Sequence, residues 1–305
     1  MTASLPLPST GSAVLADGRR VAFQIAGAGP PLVLLAGQAN SHHWWDDVRT
    51  DFTGQRTTIT IDHPGAGASD PPPPESSTRS FADDVSAVLV HLDCGPVDVY
   101  ATSMGGRVAQ WLAIDHGPQL RRLVLGCTSP GGPRAVERTA DVRRRLARPD
   151  AEERLRTLLE LMYTSEWLAS HPGPYRVLGD PTMSGPSRRA HLRASDGHDA
   201  WERLPRIAAP TLILHGADDE MTPPVNAELL ATRIPDSSVR LFPRMKHAFF
   251  DEARSVVSPL VSEFLDSTGG GAAEQTRTQD RRIDDGASQG PARRTDVGGH
   301  PVPSG

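Results

Sequence analysis

Residues 97–113 read V-D-V-Y-A-T-S-M-G-G-R-V-A-Q-W-L-A: an apolar run, a serine, two glycines, then apolar residues at helical spacing. That pattern commits the chain to a strand that turns sharply at Ser103 and leaves as a helix. A serine hydroxyl is a weak nucleophile at neutral pH, and a turn of this kind, a nucleophile elbow, presents it to a base and to N–H donors. The turn strains the serine backbone and brings strand and helix close, so the flanking residues must be small. Ala101, Gly105 and Gly106 are small, although the usual pattern G-x-S-x-G has glycine where this chain has Ala101. The competing reading is an ordinary serine that opens a helix in some other αβ unit.

A chain of 305 residues can bury one large core. Its formal net charge of -5, without a basic patch, argues against a nucleic-acid or anionic-membrane partner and for a small-molecule substrate. No residue pattern sets an oligomeric state. Cys94 and Cys127 are the only cysteines, which points to two reduced thiols and a cytoplasmic location. Residues 1–12 carry no basic segment followed by an apolar run, so no secretory signal is expected, and no later stretch is apolar enough to span a bilayer.

Strand-like runs at 13–16, 20–26, 31–36, 57–61, 97–101, 123–127, 211–215 and 239–242 alternate with amphipathic helical stretches. Alternation of this kind predicts an α/β fold with a mostly parallel eight-stranded sheet flanked by helices. Asp17-Gly18 marks a hairpin turn between the first two strands. Ser80 to Asp83 matches a capping box, with Phe81, Val85, Val88, Leu89 and Leu92 following at helical spacing. Between 130 and 206 the strand rhythm stops and helical patterns replace it, notably at 151–163 and 186–204. The expected organisation is a flexible N-terminus at 1–12, a core at 13–129, an inserted helical cap at 130–206, the rest of the core at 207–266 and a disordered tail at 267–305.

Two further loops carry the partners a serine needs. Gly216-Ala-Asp218-Asp219 follows the strand at 211–215, and His247 follows the last strand. With Ser103, Asp219 and His247 in that chain order, each past the carboxyl end of a strand, and with Asp62-His-Pro-Gly-Ala-Gly-Ala-Ser69 after the fourth strand, the chain resembles the alpha/beta-hydrolase superfamily, in its serine-nucleophile branch of esterases and enol-lactonases. The resemblance covers residues 13–265. It implies Ser103 as nucleophile, His247 as base and Asp219 as the acid that orients it, with the adjacent Asp218 as the alternative acid. It also implies an oxyanion hole from the backbone N–H groups of Gln38 and Met104, although Ala36 stands where the family usually has histidine. The substrate pocket is expected at Gly37, His43, Trp44, Met162, Trp167, Met221 and Ala248.

Some residues invite other readings. His42 and His43 lack a third ligand at metal spacing, so no metal and no cofactor is expected. His63, His215 and Trp111 are read as structural. Leu158, Leu161, Met162, Tyr163 and Trp167 form an apolar set that closes over the pocket or binds the cap to the core, and Arg143 to Arg145 read as a solvated face. The expected activity is hydrolysis of a carboxylic ester or lactone through an acyl-enzyme. The same triad also serves carbon–carbon bond hydrolysis, aminopeptidase and thioesterase chemistry, and a low-turnover binding or biosynthetic helper is the alternative from another class.

Overall fold

The computed structural model describes residues 8–267. Strand β1 (Ser9–Val14) turns into β2 (Arg20–Ala26) through Gly18, whose φ of 85° is the left-handed conformation such a turn needs. β1 begins before the expected residue 13 because Ser9 to Ser12 already pair with Ala22 to Ile25. Residues 9–12 therefore belong to the sheet rather than to a flexible end. Their polar side chains lie on a largely exposed edge, where period-two alternation is weak. Residues 1–7 of that expected end, and 268–305 of the expected tail, lie outside the described residues.

β3 (Pro31–Leu35), β4 (Thr57–Ile61), α1 (Thr78–His91), β5 (Val97–Thr102), α2 (Met104–Asp115) and β6 (Leu120–Gly126) complete the first half. The helices α3 (Ala140–Leu146), α4 (Ala151–Met162), α5 (Ser165–Ser170) and α6 (Gly185–Asp196) follow, then β7 (Thr211–Gly216), α7 (Val225–Arg233), β8 (Ser237–Phe242), α8 (Phe249–Glu252) and α9 (Arg254–Asp266). The eight strands form one sheet in the order β1-β2-β4-β3-β5-β6-β7-β8, antiparallel across β1, β2 and β4 and parallel from β4 to β8. β4 lies on one side of β3 and β5 on the other, so the connection from β3 to β4 runs one way and that from β4 to β5 crosses back, which opens a crevice at the strands' carboxyl ends.

The period of two sorts the core into layers. Val33, Leu35, Val99 and Ala101 face α1, α2 and α7, while Leu32, Leu34 and Tyr100 face α9 and the short turns at His42–Trp45 and Val48–Asp51. Leu32, Val33, Leu34 and Leu35 are fully buried, each worth roughly 1.5–3 kcal/mol. The capping box of α1 sits one turn earlier than expected. Ser77 Oγ accepts from the Ser80 N–H at 3.1 Å, and Ser80 Oγ accepts from the Ser77 N–H at 2.9 Å, which starts the helix at Thr78.

α3 to α6 lie between β6 and β7, and no sheet strand interrupts them. The insertion is closed at its base, where the Gly132 N–H donates to His198 O at 2.8 Å and the Ala200 N–H to Pro130 O at 3.0 Å. The helical pattern at 186–204 is split in the structure: α6 stops at Asp196 before Gly197, and a separate turn, Trp201–Arg206, carries Pro205.

Two buried histidines of the insertion tie it to the core, and a third, His63 of the core, packs against one of them, its ring 6.4 Å from that of His191. His191 Nε2 donates to Pro64 O at 2.8 Å while Nδ1 accepts the Ala39 N–H at 3.2 Å; His63 stacks on Phe81; His198 lies between Thr78 and Gln110. Burial, aided by neighbouring charge, holds His191 down at about 4 and His63 at about 3, and pushes His198 well below the ordinary value. Unfolded, each ring takes up a proton near pH 6.5 that the folded protein refuses. Stability is therefore full above about pH 6.5 and falls as the pH drops toward about 4, by up to about 1.4 kcal/mol per pH unit per ring. The midpoint of thermal unfolding should fall by roughly 10 °C or more between pH 7 and pH 5. A flat calorimetric profile across that interval would refute the buried neutral rings.

Candidate active site

The turn after β5 places Ser103 at φ 55° and ψ -124°, a strained conformation for a residue with a side chain. It is held from both sides: the Ser103 N–H donates to Gly126 O at 2.9 Å and Thr128 Oγ1 donates to Ser103 O at 2.8 Å. Gly105 shows why the helix must begin with small residues. A Cβ there would lie 2.4 Å from Leu35 O and 2.6 Å from Ala36 O, and these are backbone atoms that cannot move aside. Alanine within a helix normally gains about 1 kcal/mol over glycine. Here overpacking of about 1–3 kcal/mol outweighs that gain, so Gly105→Ala should lower stability in denaturant titration; an unchanged or raised midpoint would contradict it.

Asp219 sits on the loop after β7 and His247 on the loop after β8. His247 Nε2 lies 3.1 Å from Ser103 Oγ, and His247 Nδ1 lies 2.8 Å from Asp219 Oδ2. The chain of hydrogen bonds runs unbroken from hydroxyl to carboxylate. Asp219 is itself pinned, with Oδ1 accepting the N–H groups of Met221 at 2.8 Å and Thr222 at 2.9 Å. His215 Nε2 stands 2.7 Å from Thr222 O and 3.2 Å from Asp219 Oδ2. Both are acceptors, so this nitrogen carries the proton and His215 supports the acid from behind. Burial alone would raise the Asp219 pKa, but the His247 charge and hydrogen bonds from His215 and His247 outweigh it and hold the carboxyl well below the usual range. Asp218 points to solvent while its N–H donates to Met245 O at 2.9 Å.

The insertion shapes the site as well as covering it. The Ala248 N–H donates to Met162 O at 2.8 Å, which ties the His247 loop to the end of α4. On the loop after β3, Ala39 O accepts the Asp180 N–H at 2.7 Å and Asn40 Oδ1 accepts the Gly179 N–H at 2.8 Å. Gln38 and Met104 both border the cavity, and among the described residues no acceptor takes either backbone N–H. Met104 opens α2, so its N–H also stands at the positive end of a helix dipole.

A cavity of about 460 Å³ opens beside Ser103 and His247, and Trp44, Met162 and Met221 line it. Four other positions expected there lie elsewhere. Gly37 is covered by the Trp44 ring, 2.6 Å from where a Cβ would stand, so it serves close approach rather than substrate contact. His43 turns outward and pairs with Asp46 at 2.6 Å. Trp167 is stacked between Tyr163 and His171, each at 4.2 Å, because the chain leaves α4 at an extended Tyr163 and the helical spacing does not carry across. Ala248 is fully buried.

Of the apolar cap set, Leu158 joins Met162 on the wall, while Leu161 and Tyr163 are buried outside it. Arg188, Leu192 and Ser195 also border the cavity and were missed by the sequence reading. Their spacing along α6 places them on one helical face, which was legible as periodicity, though not as a cavity wall. His42 pairs with Asp62 at 3.0 Å, and among the described residues no three metal-ligating side chains cluster.

A family model described as the alpha/beta hydrolase fold matches residues 30–253. The chain belongs to this family. The hydrolase is 27% identical over 304 residues to an uncharacterised protein of Mycobacterium tuberculosis, covering 87% of this chain and 89% of that one. It is 29% identical over 216 residues to a poly(3-hydroxyalkanoate) depolymerase of Ectopseudomonas oleovorans, covering 68% and 74%. Its fold matches the structure of Est816, described as an N-acyl homoserine lactone degrading enzyme, with a TM-score of 0.70 at 26% identity over 82% of this chain and 99% of the other. No helix among the described residues is long and apolar enough to cross a membrane.

Proposed function

We propose that this hydrolase cleaves a carboxylic ester or lactone through an acyl-enzyme formed on Ser103. The observation that carries the proposal is the hydrogen-bonded line from Ser103 Oγ through His247 to Asp219, at 3.1 Å and 2.8 Å. In the first step Oγ attacks the carbonyl carbon while its proton passes to His247 Nε2, and Asp219 steadies the imidazolium through Nδ1–H. The oxygen that gains charge is received by the N–H groups of Gln38 and Met104. One such donor contributes about 2.7–4 kcal/mol of barrier lowering. His247 then returns the proton to the departing alkoxide oxygen. Water, deprotonated by the same ring, attacks the acyl carbon and releases the acid and the serine. For a lactone the alcohol stays attached to the released acyl chain.

Support also comes from the relatives, one named a depolymerase of poly(3-hydroxyalkanoate) and one a lactone-degrading enzyme. The test is a serine-directed phosphonate followed by peptide mapping, alongside turnover of chromogenic esters and lactones. A single adduct on Ser103, with parallel loss of turnover, is the expected result. Adduct formation at another residue, or full turnover by protein labelled at Ser103, would overturn the reading.

A further inference from the structure

Four arginines, Arg107, Arg138, Arg188 and Arg189, line the cavity beside Ser103, and no aspartate or glutamate does. Two of them hold the wall together. Arg107 donates to Ser195 O at 2.5 Å and to Ser129 Oγ at 2.9 Å, with Glu137 outside the cavity wall at 3.9 Å. Arg188 donates to the backbone oxygens of Met183 and Asp180. Carbonyl and hydroxyl acceptors satisfy these N–H groups; Arg107 also has the Glu137 carboxylate as an ion-pair partner, whereas among the described residues Arg188 enters no ion pair.

Arg138 is different. Among the described residues its guanidinium enters no ion pair, and its one hydrogen bond goes to Met221 Sδ at 3.3 Å, a weak acceptor. The side chain is half-buried, and burial pushes its pKa down, as expected of a cation withdrawn from water without a bonded anion. Met221 borders the same cavity and shares the loop of Asp219, so the free fork of donors stands at the reaction chamber. A planar guanidinium with unused donors matches the two oxygens of a carboxylate or of a phosphate monoester.

Taking the ester or lactone reading above as its basis, we propose that the substrate carries a second, ionised oxyacid group, and that Arg138 pairs with it inside the cavity. The group is a selectivity element and takes no part in bond cleavage. Arg188 and Arg189, which enter no ion pair among the described residues, add a positive field that draws the same anion in.

Two arms test this separately from the hydrolase reading. In the first, Ser103→Ala protein is titrated calorimetrically at low salt with adipate, with its neutral diamide and with hexyl phosphate. Adipate or hexyl phosphate should bind at least about tenfold more tightly than the diamide, and the preferred anion identifies which oxyacid fits; adding Arg138→Gln should abolish the difference, while Arg138→Lys should keep part of it. In the second, kcat/KM is compared for the p-nitrophenyl hemiester of adipate and its neutral methyl diester. The ratio should exceed about ten in the unsubstituted protein and fall at least about tenfold in Arg138→Gln. Equal binding of anion and diamide, with an ester ratio near one that Arg138→Gln leaves unchanged, would overturn the proposal and leave the hydrolase standing. Selective anion binding through Arg138, with neither ester hydrolysed, would support the anion site and overturn the ester reading instead.

Discussion

Replacing Ser103 by alanine should lower kcat for a chromogenic ester by about ten-thousand-fold or more. The expectation follows from the geometry: His247 Nε2 points at Ser103 Oγ from 3.1 Å, and no other hydroxyl shares that contact. In the proposed mechanism no acyl-enzyme forms without Oγ, and only direct attack by water remains, helped by the two backbone donors. A residual rate enhancement of about a thousandfold over water is therefore compatible with the mechanism. Ester affinity should change little, because Oγ is a small part of a cavity of about 460 Å³. Steady-state kinetics with a substrate-binding control checks both. A loss smaller than about tenfold would mean that another group performs the attack.

The second large effect is expected at Asp219. Asp219→Asn should cost about a thousandfold to ten-thousandfold in kcat, while Asp218→Asn should stay within about twofold. The Met221 and Thr222 N–H groups hold one carboxylate oxygen at 2.8 and 2.9 Å, so in the variant the amide oxygen takes that place and the amide NH2 faces His247 Nδ1. A donor there forces the proton of the imidazole onto Nε2. His247 would then present N–H to Ser103 and could no longer accept its proton. His215, which donates from 3.2 Å to Oδ2, the oxygen that faces His247, would meet the amide NH2 as a second misfit. Paired kinetics on the two variants decides the assignment; a larger loss in Asp218→Asn would reverse it.

These two aspartates show where local pattern stops being informative. A glycine followed by two acids marks a loop after a strand, but adjacent carboxylates have the same composition, spacing and charge. Only the turn geometry buries Asp219 against two N–H groups and leaves Asp218 in solvent. The pocket wall shows the same limit. Trp44, Met162 and Met221 border the cavity, yet Trp167 does not, because the chain abandons helical phase at Tyr163. Arg138 lies in a stretch without regular structure, and its sequence neighbours carry no hint that its guanidinium ends beside Met221.

What the sequence determined by itself was everything set by short-range repetition and by the size of single residues. Strand and helix periods, the small residues around Ser103 and the order of the three loops sufficed for the α/β class and the eight-stranded sheet. Tertiary structure alone decided that His247 reaches Ser103 across 144 residues of chain and Asp219 across 28, and that four arginines share one acid-free wall. The physical reason is one of range. Backbone sterics and apolar periodicity act over a few residues and can be read as they stand, whereas a site is made by side chains from distant segments whose meeting depends on how whole layers pack.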